Sequence, residues 1–115
     1  MKRLIFASMM LMSGIASAGG WSNLAVPTGI DVERGNGFMI YGDFGNAGAC
    51  TTTNRIYIKI DHPQYNALYA TALAAFAGKY KIQAYVQACE SVGWYASPSV
   101  TFNIINSGSA LNIAE

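Results

Sequence analysis

The stretch from His62 to Cys89 constrains the fold most, because its hydrophobic period changes from that of a helix to that of a strand. Larger apolar residues first recur at spacings of three and four, which gives a helix one apolar stripe: Tyr65, Leu68, Tyr69, Ala72, Leu73 and Phe76. Apolar residues then alternate with polar ones, with Ile82, Ala84 and Val86 on one predicted face. The sequence therefore predicts a helix that leads directly into a half-buried strand.

Both ends of this helix carry boundary signals. Asp61 and His62 are capping candidates, and Pro63 suits the first turn, where its missing N–H would have no partner in any case. Gly78 can adopt the left-handed conformation that ends a helix. We therefore predict a helix bounded by Pro63 and Gly78.

The other face of the predicted helix is unusual, because no charged residue lies between Asp61 and Lys79. Small or neutral residues occupy this face: Asn66, Ala67, Ala70, Thr71, Ala74 and Ala77. Two interpretations remain open. Alanine is the best helix former, and a small domain tolerates a neutral face. Alternatively, the four alanines lie near helix–helix contacts in a homo-oligomer, where small side chains let backbones approach.

The first eighteen residues have the pattern of a secretory signal. Lys2 and Arg3 precede an apolar run from Leu4 to Ile15, and an A-x-A cleavage site ends at Ala18. The run is too short to span a membrane, so we expect an exported, soluble domain of residues 19–115, in the periplasm or outside the cell. Loss of the two basic residues turns the formal net charge of +1 into −1, which leaves no basic face for nucleic acid.

Both cysteines, Cys50 and Cys89, lie in the predicted exported part. An oxidising compartment favours pairing, and two cysteines allow one intramolecular connectivity, so we predict a Cys50–Cys89 disulfide. With one histidine and no second cysteine pair, the sequence offers no zinc site, and we predict neither a metal nor a cofactor.

Further alternating patterns predict strands on both sides of the helix. Thr28 to Glu33 and Phe38 to Tyr41 form a hairpin around the turn at residues 34–37, and Arg55 to Ile60 forms a third strand. The last strand falls between Val100 and Ile105. Residues 19–27 are expected to be an irregular lead-in, and the tail from residue 107 is expected to be loose.

Three strands, a helix and two strands predict a mainly β fold with one helix. This is the element order of an OB-fold, a five-stranded Greek-key barrel with its helix between strands three and four. A β-grasp or a small α+β sheet, built from the same parts, remains an alternative.

Several motifs resemble the B subunits of bacterial A-B-pentamer toxins, in the branch of subtilase cytotoxin and typhoid (pertussis-like) toxin. The similarity is close in the helix and in the strand after it, at Tyr65-Asn66-Ala67-Leu68-Tyr69, Gly78-Lys79 and Ile82 to Tyr85. It is fainter elsewhere, at Trp21, Thr28-Gly29, Phe38-Met39-Ile40 and Ala49-Cys50. The resemblance implies a secreted OB-fold, a homopentamer with its helices lining the centre, recognition of host cell-surface glycans, and a catalytic A subunit as partner.

The resemblance also implies binding residues. In those B subunits a hydroxyl residue at the start of the first strand and a tyrosine after the helix contact the sugar, and Thr28 and Tyr85 match them. Asp31 and Glu33 are the nearby acidic candidates. Independently of the resemblance, Tyr41, Tyr57 and Tyr85 are predicted on the non-core faces of their strands, although β-propensity alone explains such tyrosines. The candidate ligand residues are therefore Thr28, Asp31, Tyr57 and Tyr85.

Enzymatic chemistry lacks a recognisable set of residues. One histidine, paired cysteines and scattered carboxylates provide no nucleophile, base and orienting group at a known spacing, so we predict that the protein is not an enzyme. Two functions remain. One is a glycan-binding subunit of a toxin-like pentamer, and the alternative is a solitary secreted OB-fold interaction domain that binds a protein partner.

Overall fold

The computed structural model describes residues 19–33, 36–93, 97 and 99–115, in which eight strands and one helix are present. In chain order the elements are β1 (Gly20–Trp21), β2 (Gly29–Glu33), β3 (Gly37–Tyr41), β4 (Arg55–Lys59), α1 (Tyr65–Gly78), β5 (Lys81–Val86), β6 (Ala88–Glu90), β7 (Phe102–Ile105) and β8 (Ala110–Ala114). The predicted secretory signal, and residues 34–35 of the predicted turn, lie outside the described residues.

The strands form two sheets. One has the order β2-β3-β4-β7-β6, and the other has the order β1-β5-β8. The pairing of β4 with β7 is parallel, whereas the other pairings of these strands are antiparallel. Gln87 alone separates β5 from β6, so one extended segment serves both sheets. The described strands do not close into a barrel, because β2 pairs with β3 and not with β5.

The predicted hairpin is confirmed by the register of β2 and β3, in which Glu33 pairs with Gly37 and Gly29 pairs with Tyr41. Gly37 has a φ of 137°, and a Cβ at this position would collide with the carbonyl group of Ile58. Glycine is therefore required where the chain enters β3.

The main core lies between the helix and the two sheets. Its buried members are Phe38, Ile40, Phe44, Ile56, Ile58, Leu68, Ala72, Ala75, Ile82, Ala84, Val86 and Ile105. The ring of Phe38 meets Tyr65 and Tyr69 of α1 edge-on, with centroid distances of 5.4 and 5.1 Å. These contacts fix the helix against the five-stranded sheet. The buried face predicted for β5 is confirmed, because Ile82, Ala84 and Val86 are each fully buried.

The five-stranded sheet is buried on its other face as well, where a second cluster contains Met39, Tyr57, Val92, Phe102 and Ile104. The expectation that Tyr57 lies on a non-core face is therefore wrong, since Tyr57 is 3% exposed and its hydroxyl donates to the carbonyl oxygen of Asn36. Central strands that are covered on both faces lose the alternation on which that expectation depended.

Helix α1 ends at Gly78, as predicted, but begins at Tyr65, two residues after Pro63, and its caps differ from those predicted. Gln64 is the N-cap residue and makes no side-chain cap; its N–H donates to Nδ1 of His62 at 2.9 Å. At the other end Lys79, and not Gly78, adopts the left-handed conformation and donates its N–H to Ala75. The N-cap side chain therefore does not cap the N–H groups of the first turn.

The buried stripe of α1 is narrower than predicted. Leu68, Ala72 and Ala75 are buried, whereas Leu73 and Phe76 are 45% and 40% exposed. Tyr65 and Tyr69 also pack against the core and are partly buried. The side of the helix that faces the core is therefore centred on Leu68, Ala72 and Ala75, and Leu73 and Phe76 fall outside it.

Strands β1 and β8 were not predicted. Residues 110–114, expected to be loose, pair with β5 over five residue pairs, and β1 pairs with the opposite edge of β5. Main-chain hydrogen bonding to the open edges of β5 organises both segments, and it needs no alternation of apolar side chains.

The predicted disulfide is confirmed. Cys50 and Cys89 are bonded, with a Cα–Cα distance of 5.6 Å, and the two cysteines of the sequence are thereby both used. The bond joins the loop between β3 and β4 to β6, which belongs to the same sheet.

Candidate functional site

An open depression of about 500 Å³ lies at one end of the strands β2, β3 and β4 of the five-stranded sheet. We call it the Tyr41 depression, and it is lined by Thr28, Tyr41, Gly42, Asp43, Thr53, Asn54 and Arg55. The antiparallel order β2-β3-β4 explains its position, because the start of β2, the end of β3 and the start of β4 meet there. Tyr41 pairs with Gly29 on one side and with Arg55 on the other.

Tyr41 forms the wall of the depression together with two charged neighbours. Its hydroxyl donates to Oδ2 of Asp31 at 2.7 Å, and the guanidinium carbon of Arg55 lies 5.1 Å from the ring centroid. Burial, followed by the hydrogen bond to Asp31, raises the pKa of Tyr41 above its ordinary value. The phenol therefore remains a neutral hydrogen-bond donor at physiological pH, and the guanidinium is held over one face of the ring by a cation–π contact.

The rim of the depression is formed by both ends of the loop between β3 and β4. Asn54 adopts a left-handed conformation, with φ of 61°, and exchanges hydrogen bonds with Gly45 at 2.9 and 3.0 Å. Its carbonyl oxygen also accepts the N–H of Gly42 at 3.2 Å. These bonds bring the two ends of the loop together.

Several polar groups at the rim are available to a ligand. The hydroxyls of Thr28 and Thr53, the carboxylate of Asp43 and Nδ2 of Asn54 form no hydrogen bond with any residue that the structure describes. The depression therefore offers hydrogen-bond donors and acceptors, one positively charged group and one negatively charged group beside the ring of Tyr41.

The middle of the same loop is fastened to β7 and β6. Thr51 and Thr101 exchange main-chain to hydroxyl hydrogen bonds of 3.0 and 2.6 Å. The side chain of Asn46 forms two hydrogen bonds with the main chain of Cys50: its Oδ1 accepts the N–H, and its Nδ2 donates to the carbonyl oxygen. Together with the disulfide, these contacts tie the middle of the loop to the five-stranded sheet.

Two of the predicted ligand residues belong to this depression. Thr28 lines it, and Asp31 is bonded to the hydroxyl of Tyr41. Tyr57 is buried beneath the sheet and is not accessible to a ligand in this structure. Arg55 was not identified from the sequence, because its meeting with Tyr41 depends on the register of β3 and β4 across a thirteen-residue connection (residues 42–54).

Tyr85 lies elsewhere, on the three-stranded sheet. It pairs with Trp21, and the two rings are 5.3 Å apart at an interplanar angle of 57°. Thr28 and Tyr85 were expected to lie close together because the first and fourth strands of an OB-fold are neighbours. In this chain those strands would be β2 and β5, but they belong to different sheets, and β1 pairs with β5 instead. Trp21 is 49% exposed, which makes this ring pair a second aromatic surface.

Helix α1 presents an uncharged outer surface. The predicted interface alanines are all exposed: Ala67, Ala70, Ala74 and Ala77. Leu73, which is also exposed, lies next to them on the helix surface, and we call these five residues the alanine face. No acidic residue lies in the first turn of the helix and no basic residue in the last. A face of this composition lacks the charges that usually keep a surface helix hydrated.

Both ring nitrogens of His62 lie within hydrogen-bond distance of main-chain groups. Its Nδ1 accepts the N–H of Gln64, and its Nε2 lies 3.2 Å from the carbonyl oxygen of Asn106. No group of three or more His, Cys, Asp or Glu side chains within the described ranges could hold a metal ion. Among the same residues, no helix has the length and the apolarity needed to cross a membrane.

Comparison of the chain with family models, with curated proteins and with solved structures finds no match. The function must therefore be inferred from the Tyr41 depression, the aromatic pair and the alanine face.

Proposed function

We propose that the protein is an exported, non-catalytic domain that binds glycans in the Tyr41 depression. One observation carries this proposal: in an open hollow, the ring of Tyr41 and the guanidinium of Arg55 stand beside hydroxyl, amide and carboxylate groups that form no hydrogen bond with any described residue. A sugar combines apolar C–H faces with a dense edge of hydroxyl groups, and it requires donors and acceptors side by side.

The geometry indicates how a sugar would be held. Arg55 covers one face of the Tyr41 ring, so a ligand meets the edge of the guanidinium rather than a bare ring face. Arg55 and Asp43 then face vicinal hydroxyl groups with a fork of donors and a pair of acceptors, respectively. The hydroxyl of Thr28 contributes from the start of β2. The open shape suits a terminal sugar that projects from a longer glycan.

A site of this kind binds weakly on its own. Hydrogen bonds contribute about 0.5–1.5 kcal/mol each when neutral and about 1.5–3 kcal/mol when one partner is charged. After the cost of association, a single depression gives affinities on the order of millimolar. Useful affinity for a cell surface therefore requires several sites on one particle.

We further propose that the protein forms a homo-oligomer through the alanine face. An uncharged helix surface can meet its own copies without like-charge repulsion, and the exposed side chain of Leu73 provides apolar area to bury. A toxin-like pentamer with an A subunit as partner follows from the resemblance of residues 65–85, and the alanine face supports it.

Export and an OB-type topology complete the proposal. A disulfide between Cys50 and Cys89 is the chemistry expected in an oxidising compartment, which agrees with the signal-like segment at residues 1–18. In the five-stranded sheet β4 lies beside β7 and not beside β5, so the helix and β5 form a crossover between sheet neighbours, which supports an OB-type order. Both features support the assignment.

A glycan array tests the binding site. Thr28→Val removes a hydroxyl at nearly constant volume, and Arg55→Gln removes the guanidinium; each should lower the signal by at least tenfold without changing the melting temperature. Lys81→Gln, which removes an exposed charge on the other sheet, is the matched control and should bind like the wild type. Absence of wild-type binding, or full binding by both variants, would refute the proposal.

The aromatic pair favours the second candidate function, a solitary exported interaction domain. Trp21 and Leu24 are each 49% exposed, and tryptophan and tyrosine often dominate protein interfaces. Under this alternative the wild type gives no signal on the glycan array. A single protein partner would then be captured by the wild type and lost with Trp21→Ala, whereas Thr28→Val would retain it.

A further inference from the structure

Asn103 is a buried polar residue in the middle of β7. It is 2% exposed and lies between the fully buried side chains of Phe102 and Ile104. In the sheet it pairs with Ile56 on one side and with Cys89 on the other. A polar side chain is disfavoured at such a position unless its donors and acceptors are satisfied.

Both the oxygen and the nitrogen of the Asn103 side-chain amide form hydrogen bonds. Oδ1 accepts the N–H of Gly48 at 2.9 Å, and Nδ2 donates to the carbonyl oxygen of Arg55 at 3.2 Å. Oδ1 also lies 3.3 Å from Sγ of Cys50. A Cβ at position 48 would collide with Oδ1, so glycine at this position lets the loop approach the amide.

One hydrogen bond ends on a residue that lines the Tyr41 depression, and the other ends on the loop that forms its rim. Arg55 is the residue whose guanidinium covers the ring of Tyr41. Gly48 lies near the middle of the loop whose two ends, at residues 42–43 and 53–54, form the rim. One buried amide therefore connects Arg55, in the wall of the depression, with the middle of the loop whose ends form the rim.

We propose that Asn103 is a positioning residue for the Tyr41 depression. Its amide holds the main chain of Arg55 and the loop around Gly48 in register, so that guanidinium, ring and rim are preassembled before a ligand arrives. The consequence for ligand affinity rests on the proposed glycan-binding function, whereas the positioning itself does not. A preassembled site avoids the cost of ordering a loop during binding.

The variant Asn103→Leu tests the positioning, because leucine has a similar size and no polar atoms. Two signals in the NMR spectrum of the unliganded protein report on it: hydrogen exchange of the Gly48 amide, and the ring-current shift that Tyr41 imposes on the Arg55 side chain. We expect exchange at Gly48 to rise at least tenfold and the Arg55 shift to move toward its random-coil value. Ile104→Val, a core change in the same strand, is the control and should leave both signals as in the wild type.

Asn103→Asp separates the two bonds and covers the case in which the leucine variant does not fold. An aspartate keeps an acceptor for Gly48 but loses the donor to Arg55, so the Arg55 shift should change while Gly48 remains protected. Protonation of the carboxyl group at lower pH restores an O–H donor, and the Arg55 shift should return toward the wild-type value.

The glycan array completes the test. A tenfold loss of signal with Asn103→Leu, but not with Ile104→Val, supports the proposal. Unchanged NMR signals in both Asn103 variants would overturn it, and so would altered NMR signals with full glycan binding. If the wild type binds no glycan, the proposed function fails, and the NMR signals alone then decide whether Asn103 positions the depression.

Discussion

Removal of the disulfide should lower the stability of the fold substantially. Cys50 and Cys89 are separated by 39 positions, so the bond closes a large loop in the unfolded chain. In the chain-entropy model a loop of this length contributes about 4 kcal/mol at 25 °C. Since a domain of this size has only about 5–15 kcal/mol in total, the loss is a large fraction of its stability.

The expected shift in melting temperature follows from this value. One kcal/mol corresponds to roughly 4–8 °C for a domain of up to about 100 residues, so the double variant Cys50→Ala/Cys89→Ala should melt roughly 15–30 °C below the wild type. Part of the loop remains attached through the Thr51–Thr101 hydrogen bonds, so the native sheet should persist at low temperature.

Thermal unfolding followed by circular dichroism measures this shift, with and without a phosphine reductant. The reductant should lower the melting temperature of the wild type and leave that of the double variant unchanged, which controls for other effects of the reagent. A double variant that melts within about 3 °C of the wild type would contradict the entropic argument.

Three further predictions concern the helix and the depression. Ala70→Glu should dissociate or weaken an oligomer, as measured by light scattering, because identical charges would meet at its helix interface; a wild type that is a monodisperse monomer would refute the interface. Leu68→Ala should lower the free energy of unfolding, measured with a denaturant, by about 2–5 kcal/mol, because Leu68 is buried. Leu73→Ala should lower the free energy of unfolding of the single chain by under about 1 kcal/mol, because Leu73 is exposed; equal losses would contradict the observed orientation of the helix. Folding raises the pKa of Tyr41, so its stabilising contribution is fully present below the ordinary value of 10.0 and is lost as the pH rises through the higher folded value. Wild-type stability should therefore fall more steeply above pH 10 than that of Tyr41→Phe; identical pH profiles would show that Tyr41 titrates as in the unfolded chain.

The Tyr41 depression could be predicted only in part. Thr28 immediately precedes β2 and Asp31 lies within that strand, and both could be recognised from the sequence. The contact between Tyr41 and Arg55 could not be, because it joins residues on two strands that thirteen residues separate, and no local pattern gives their register. The role of Asn103 was likewise hidden, since an asparagine in an alternating pattern is typical of a solvated strand face.

The sequence by itself determined the elements whose signals are local. The span of α1, the strand β5 with its buried face, the hairpin of β2 and β3, and the pairing of Cys50 with Cys89 all follow from periodicity, turn residues and cysteine number. Tertiary structure decided the rest. It buried Tyr57 on a second core face, turned Leu73 and Phe76 outward, and added β1 and β8 to the edges of β5. The physical reason is that burial on both faces of a sheet and pairing at its edges depend on distant segments of the chain, which no local pattern records.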